Sequence, residues 1–182
     1  MHVTRTGHGT HQVELWGSMP IGWLGNFTRG ATRMSLDIVR GVARRNTQRR
    51  WSATFEMRGA SESSLQRVDF LGLARLDAES AAPIQLELAR FELTRSTERA
   101  GMLELRINAP DRVGFLAALL AHLAGFVLFP VEIRIDTFQG VAEDALFLTS
   151  VAGESPPPEI EAALRASLRL CTRDRASLLP GA

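Results

Sequence analysis

The residues of this chain whose types and spacing best suit ligand chemistry lie in one loop, at 109–116. The loop runs from Ala109 through Asp111 and Gly114 to Leu116, between an alternating apolar strand pattern and an apolar helical pattern. A helix start presents unpaired backbone N–H groups and the positive end of the helix dipole, so it can hold a carboxylate. Gly114 has no side chain, which lets a ligand approach the backbone closely. We therefore expect a small anionic group to bind here.

The side chains in and near this loop each fit a ligand-binding role and a simpler structural one. Asp111 either holds an α-ammonium group or caps the following helix. Leu116 either walls a pocket or packs in the core. Asp136 and Thr137, at the far end of a later strand, either form the polar rim of a ligand site at an interface or solvate a hairpin end. The candidate ligand-binding residues are Asp111, Arg112, Val113, Gly114, Phe115, Leu116, Asp136 and Thr137.

The remaining chemistry-bearing residues do not form a catalytic or metal-binding pattern. The chain has no lysine and therefore has neither a Schiff-base nucleophile nor the cation of a phosphate-binding loop. Glu143 and Asp144 are adjacent on a strand, so their side chains point to opposite faces, a poor geometry for paired acid–base work. A flexible arm explains the histidines near the Gly-rich N-terminus better than a metal site does: His2, His8 and His11. We expect a protein that is not an enzyme and needs no metal or cofactor.

Charge and cysteine content limit the classes of binding partner and the cellular compartment that we expect. The formal net charge is +1, so no overall field recruits nucleic acid or anionic membranes. Arginines cluster within 40–50, where a solvated hairpin tip explains them better than a phosphate or nucleic-acid site. No apolar run approaches the roughly 20 residues of a membrane span, and no apolar signal segment follows the first residues. Because Cys171 is the single cysteine, no internal disulfide can form, and we expect a cytoplasmic protein.

A weak internal repeat divides the chain into two similar units. When Gly22 is aligned with Gly114, apolar strand positions of the first half fall on those of the second, for example Val13 on Leu105. A period of roughly 90 residues exceeds that of solenoids and indicates a duplicated small domain. Each unit shows the order strand, helix, strand, strand, helix, strand, which predicts an α+β fold of two tandem ferredoxin-like sandwiches with antiparallel sheets and helices on one face. The predicted segments are a flexible leader at 1–9, a first unit at 10–95, a linker at 96–100, a second unit at 101–172 and a tail at 173–182.

Hydrophobic periodicity predicts the elements within each unit. The first unit has predicted strands at His11–Trp16, Leu36–Arg44, Trp51–Arg58 and Ile84–Leu93, with helices at Ile21–Arg33 and Ser61–Leu76. The second has predicted strands at Leu103–Asn108, Val131–Thr137 and Asp144–Val151, with helices at Phe115–Phe126 and Glu159–Leu170. Three glycines weaken the first helix, each costing up to about 1 kcal/mol relative to alanine: Gly22, Gly25 and Gly30.

Two features of the second unit predict contacts beyond it. Residues 145–148 are apolar on both faces of their strand, so this strand needs cover on its second face from the other unit or from another chain. The last strand of this unit is missing or very short, which leaves the first strand with an open edge. We therefore expect either a homodimer or a continuous sheet between the units.

The second unit resembles an ACT domain, a small-molecule-binding regulatory module. The resemblance lies in the loop 109–116 and in the stretch 134–147, which includes Asp136, Thr137, Asp144 and Phe147. The stretch is similar to the C-terminal ACT pair of bacterial uridylyltransferase/uridylyl-removing enzymes. The resemblance implies a regulator that binds an amino acid near this loop, at a domain or subunit interface.

Several positions depart from the family pattern. Val113 stands where the family usually has proline, and the aligned loop of the first unit, residues 19–22, has no aspartate. We therefore expect one competent site per chain, in the second unit. The enzymes' nucleotidyltransferase and phosphohydrolase domains have no counterpart here, so their activities are not implied. The favoured function is a sensor that passes the binding of an amino acid to a partner protein, and the alternative is an assembly module with no ligand.

Overall fold

The computed structural model describes residues 1–7, 9–59, 68–75 and 85–172, in which eight strands form one antiparallel sheet beside four helices. The strands are β1 (His2–Gly7), β2 (Thr10–Gly17), β3 (Asp37–Arg45), β4 (Trp51–Arg58), β5 (Arg90–Arg95), β6 (Leu103–Pro110), β7 (Leu128–Phe138) and β8 (Val141–Ser150). The helices are α1 (Trp23–Arg33), α2 (Phe70–Arg75), α3 (Phe115–Ala124) and α4 (Pro158–Leu170). None of these helices is both long and apolar enough to cross a membrane.

The sheet confirms the predicted fold class of two tandem ferredoxin-like units. Its strand order is β1-β2-β4-β3-β7-β8-β6-β5, so each unit contributes four neighbouring strands. Each unit begins with a hairpin, continues through a helix and two more strands, and ends in a second helix. The outer strand of each unit is therefore its first strand in chain order, whereas the sequence pattern predicts that it is the last.

Residues 1–9, predicted to be a flexible leader, instead contain strand β1. This strand pairs with β2 from His2 opposite Glu14 to Gly7 opposite Thr10. Gly7 and Gly9 have φ values of 90° and 77°, which only glycine adopts easily and which allow the tight return between the strands. The outer edge of β2 is free to pair with β1 because the segment predicted to pair with it, Ile84–Leu93, does not do so.

Only residues 90–93 of that segment, which is predicted as the strand Ile84–Leu93, belong to a strand, β5 of the second unit, and residues 85–89 lie outside it. β5 pairs along its whole length with β6, from Arg90 opposite Asn108 to Arg95 opposite Leu103. The predicted linker 96–100 is therefore part of a hairpin connection, and the open edge expected on the first strand of the second unit is covered. Half of the predicted helix Ser61–Leu76 and all of the tail 173–182 lie outside the described residues.

The two units join through β3 and β7, which makes the sheet continuous, one of the two alternatives expected from the sequence. Val42 lies opposite Arg134, the residue that the internal repeat aligns with it. The pair Arg40–Asp136 on one side of this point corresponds to the pair Arg44–Glu132 on the other. The register therefore gives the seam local twofold symmetry, as in an isologous interface. The expected homodimer stays a prediction.

One apolar core runs beneath both units on the helix side of the sheet. It includes buried side chains of all four helices together with inward residues of the strands. Phe27 of α1 stacks on Phe55 of β4 with ring centroids 5.2 Å apart. Helix α1 also contacts α3 across the seam, where an added Cβ at Gly25 would lie 4.0 Å from Cβ of Leu120. The second contact packs the first turn of α1 against the opposite unit.

The opposite face of the second unit is covered by charged side chains of the same unit. Phe147 of β8 is fully buried there, and the guanidinium of Arg134 lies 5.0 Å from its ring centroid. Arg134 and Arg99 both pair with the buried carboxylate of Glu132. Burial raises the pKa of Glu132, but hydrogen bonds from these two arginines outweigh it and leave that pKa below its usual value. The cover predicted to come from the other unit or from another chain is thus supplied locally.

Candidate ligand-binding site

The predicted loop of the second unit ends in a glycine turn at the start of α3. Gly114 has φ 90° and ψ −4° and precedes Phe115, the first helical residue. No side chain caps this helix, so the prediction that Asp111 is its N-cap is wrong. The backbone N–H of Asp111 donates to the Gly140 carbonyl at 2.9 Å, which anchors the loop to the β7–β8 turn. The Asp111 carboxylate makes no hydrogen bond within the described part of the chain and is available to a ligand.

This loop forms a pocket with α1 and β3 of the first unit, which we call the acidic pocket. Six of the predicted residues line it, namely Asp111, Arg112, Gly114, Phe115, Leu116 and Thr137. The first unit contributes Asp37, and β8 contributes Asp144. The enclosed space is about 30 Å³, which is room for about two water molecules. A bound amino acid therefore requires the loop and α1 to move apart.

Two predicted site residues lie elsewhere. Val113 is absent from the pocket lining and is 48% exposed. Asp136 lies on the opposite face of the sheet, where it pairs with Arg40 at 3.0 Å across the seam. Asp136 and Thr137 cannot both face one ligand because successive strand residues point to opposite faces.

The acidic pocket contains a carboxylate that lacks a full set of partners. Asp144 is 3% exposed, and its Oδ1 accepts no hydrogen bond from the described residues. Burial raises the pKa of Asp144 to about 7, a backbone hydrogen bond from Asp136 opposes this rise, and the charges of Asp111 and Asp136 add to it. Burial, with the nearby charge of Asp37, also raises the pKa of Asp111. The pocket therefore favours a cationic group such as an ammonium.

Nearby cations leave this negative charge partly uncompensated. Arg58 pairs with Asp37 at 2.6 Å, and Arg112 pairs with Glu87 at 3.0 Å.

Strand alternation correctly predicts that Asp144 and Glu143 face opposite sides of the sheet, but it does not predict that Asp144 is buried. The available signal was a charged residue at an inward position of an apolar strand, between Ala142 and Leu146.

A larger cavity lies at the corresponding loop of the first unit, and we call it the basic pocket. It is bounded by the loop 19–22, the start of α1, the C-terminal half of α3 and the start of β7. It encloses about 150 Å³. The local twofold symmetry of the seam relates the two pockets, since each lies between the loop of one unit and the first helix of the other. The structure has more room at the loop without an aspartate. The expectation of one competent site per chain stays a prediction.

The charged groups of the basic pocket are cations, and two of its buried N–H donors have no partner among the described residues. Trp23 is 1% exposed, and its indole N–H has no acceptor among the described residues. Nε of Arg29 is also buried without a partner, while its Nη2 donates to Oδ1 of Asn26. Arg45 lines the cavity from the end of β3. The described residues that line this pocket include no aspartate or glutamate.

The repeat shows where the two pockets have diverged. With Gly22 on Gly114, Met19 takes the place of Asp111 and Arg45 the place of Thr137. Phe129, which lines the basic pocket, aligns with Asp37 of the acidic pocket. The same backbone arrangement thus carries opposite charge at its two sites. The sequence pattern does not single out Arg29, which follows the loop on α1, and it assigns Arg45 to a solvated hairpin tip. The position of both beside this loop depends on tertiary packing, which local patterns do not show.

The other residues considered for chemistry do not form a site. His11 lies in β2 and is 2% exposed, so it belongs to the sheet and not to a flexible arm, while His8 lies outside the described residues. Burial raises the pKa of the Cys171 thiol, which lowers its reactivity. No three side chains of the His, Cys, Asp and Glu types converge as a metal site within the described ranges.

Comparison with known proteins supports the fold. No family model matches the sequence, and no curated protein does. A solved structure of aspartate kinase from Synechocystis is similar, with a TM-score of 0.50 and 15% sequence identity. The similarity covers 88% of this chain, which spans 27% of the length of that chain. At this identity the match shows a shared α+β fold alone, and the resemblance to the uridylyltransferase pair stays a prediction.

Proposed function

We propose that this chain is a non-enzymatic regulatory protein that binds a small metabolite, an amino acid above all, at the acidic pocket between its units. The observation that carries the proposal is Asp144, a buried carboxylate with an unpaired oxygen that lines a pocket beside a helix start. An α-ammonium group on Asp144 and Asp111 would compensate their charge. The carboxylate of the same ligand would then accept from N–H groups in the first turn of α3.

The position of the pocket supports a regulatory role. Its walls come from both units, with Asp111 and Leu116 on one side and Thr28 and Asp37 on the other. A ligand larger than the present space must shift these walls, so it favours one packing of the units over another. That difference in affinity is what couples a binding site to a distant contact surface. We propose that a partner protein senses the resulting change in unit or subunit contacts.

The structural similarity adds modest support for the ligand class. The similar solved structure is that of a kinase named for aspartate, which is an amino acid. Because this chain spans 27% of that kinase chain, its phosphoryl-transfer activity is not part of the proposal.

Thermal unfolding with each common amino acid and nucleotide at millimolar concentration tests the proposal. A ligand at about 100 times its Kd stabilises the folded state by about 2.7 kcal/mol, which raises Tm by roughly 5–10 °C for a chain of this length. Asp144→Asn should abolish that shift, whereas Glu143→Gln, on the opposite strand face, should retain it. If no amino acid raises Tm of the unmodified chain, the proposed ligand class is wrong.

The second candidate function is an assembly module with no ligand. The observation that favours it is the small volume of the acidic pocket, about 30 Å³. The substitution Gly114→Leu distinguishes the two candidate functions. Gly114 has φ 90°, a conformation that leucine rarely adopts, and a leucine side chain there would keep a ligand away from the backbone of the loop. A lost ligand-induced shift with an unchanged oligomeric state in light scattering supports sensing. A changed oligomeric state alone supports assembly, which would include the expected homodimer.

A further inference from the structure

We propose that the basic pocket is a second binding site, specific for a small apolar carboxylate that lacks an ammonium group, such as an aromatic or branched aliphatic acid. This site is separate from the acidic pocket and does not depend on the function proposed for it. The two pockets would therefore accept different chemical classes of ligand although they occupy equivalent positions in the two units.

The charge of the pocket selects the carboxylate. Arg29 and Arg45 line it, and neither pairs with a carboxylate in the described part of the chain. A guanidinium recognises a carboxylate through paired, charge-assisted hydrogen bonds. Since no acidic side chain lines the described walls, the ammonium of an amino acid would be buried there beside two guanidinium groups and without a carboxylate to pair with, which is costly.

Trp23 is the independent sign that a polar ligand belongs in this cavity. Buried N–H groups nearly always have an acceptor in folded proteins, yet the indole N–H of Trp23 has none among the described residues. Trp23 lines the cavity beside the start of α1. A carboxylate oxygen or a polar substituent of the ligand would satisfy this donor.

The walls and the volume select an apolar body. Trp51, Leu120, Phe129 and Val131 line the pocket together with Trp23. A cavity of about 150 Å³ lined by apolar side chains is large enough to hold a molecule the size of benzene. Ile21, at the rim, is 59% exposed, so the cavity reaches the surface.

Tryptophan fluorescence can report on this site directly. The chain has three tryptophans, and two of them, Trp23 and Trp51, line the pocket. Trp16 lies outside it and is 53% exposed, so Trp16→Phe leaves a chain whose tryptophan signal comes from the pocket alone. The titrants are 3-phenylpropionate, phenylalanine and phenethylamine, which share one ring and differ in their charged groups.

The proposal predicts that 3-phenylpropionate changes the fluorescence at saturable millimolar or lower concentration. It should bind at least about tenfold more tightly than phenylalanine, since one charge-assisted hydrogen bond or one unpaired buried charge is worth this much. Phenethylamine should not bind. Equal binding of all three titrants, or no saturable change with 3-phenylpropionate, would overturn the proposal.

Two substitutions localise the effect. Arg45→Gln should weaken the binding of 3-phenylpropionate about tenfold or more, and Arg44→Gln, next to it but absent from the pocket lining, should not. Asp144→Asn should leave this binding unchanged because that residue lines the other pocket. Circular dichroism checks that each variant is folded. Equal effects of Arg45→Gln and Arg44→Gln in folded variants would place the ligand elsewhere.

Discussion

At the scale of single residues, the proposed function depends on the environment of Asp144 more than on its type. Alternation along β8 predicts that Asp144 and Glu143 face opposite sides of the sheet, and they do so. The burial of Asp144 and its position beside Asp111 could not be predicted, because both depend on how the loop packs against the first unit. For the same reason the capping role predicted for Asp111 is wrong, since a glycine with positive φ starts the helix.

Replacement of Asp144 should change how stability depends on pH. The pKa of about 7 in the folded chain exceeds the value near 4 of an unfolded aspartate, so the folded state favours the protonated form. Stability from this group is complete below about pH 4 and is lost as the pH rises through about 7, by up to roughly 4 kcal/mol. Asp144→Asn should therefore be more stable than the unmodified chain above pH 7 and show little difference near pH 4.

Urea unfolding across this pH range measures the effect. Glu143→Gln serves as the control and should follow the unmodified chain, because Glu143 is exposed. Parallel stability curves for the unmodified chain and Asp144→Asn would show that Asp144 is not held in a protonated state.

At the scale of elements, local patterns predict each helix and strand but not which neighbour it meets. Alternation at 84–88 predicts a last strand for the first unit, yet β5 begins at Arg90 and pairs with β6 within the second unit and not with β2. Which strands pair depends on which strand edges are free in the folded sheet and on the length of the connections between strands. The hydrophobic pattern of one segment gives neither. Helix α1 is a second example. Its glycines predict a weak helix, but the sequence does not show that one of them, Gly30, allows close packing against Leu73 of α2.

Two glycines of α1 should respond to alanine in opposite ways. An added Cβ at Gly30 would lie 2.6 Å from Cδ2 and 3.2 Å from Cβ of Leu73 in α2, so Gly30→Ala should be destabilising despite its better helix propensity. At Gly25 the nearest atom is 4.0 Å away, so Gly25→Ala should stabilise the chain by up to about 1 kcal/mol. Thermal unfolding of both variants provides the comparison.

Leu73→Ala tests the cause of the Gly30→Ala effect. Combining the two substitutions should recover part of the stability that they lose separately, because the contact between them is removed. Strict additivity of the two losses would mean that α1 and α2 do not press together at this point.

At the scale of the whole molecule, the internal repeat predicts much of the architecture. Gly22 and Gly114 have φ of 79° and 90° at the two helix starts, and Ser35 and Val127, which the repeat also aligns, have φ of 54° and 56°. The repeat could not predict the seam, because pairing of β3 with β7 depends on both units. It could not predict the opposite charge of the two pockets either, since each combines residues from both units.

The amide NMR spectrum of the whole chain, titrated with the amino acid that gives the largest thermal shift, tests whether that amino acid binds in the acidic pocket. We expect chemical-shift changes at the loop 111–117 and at Asp144, which line this pocket, and none at Gly22 and the loop before it. Changes confined to the first-unit loop, or the absence of any change at saturating amino acid, would contradict it.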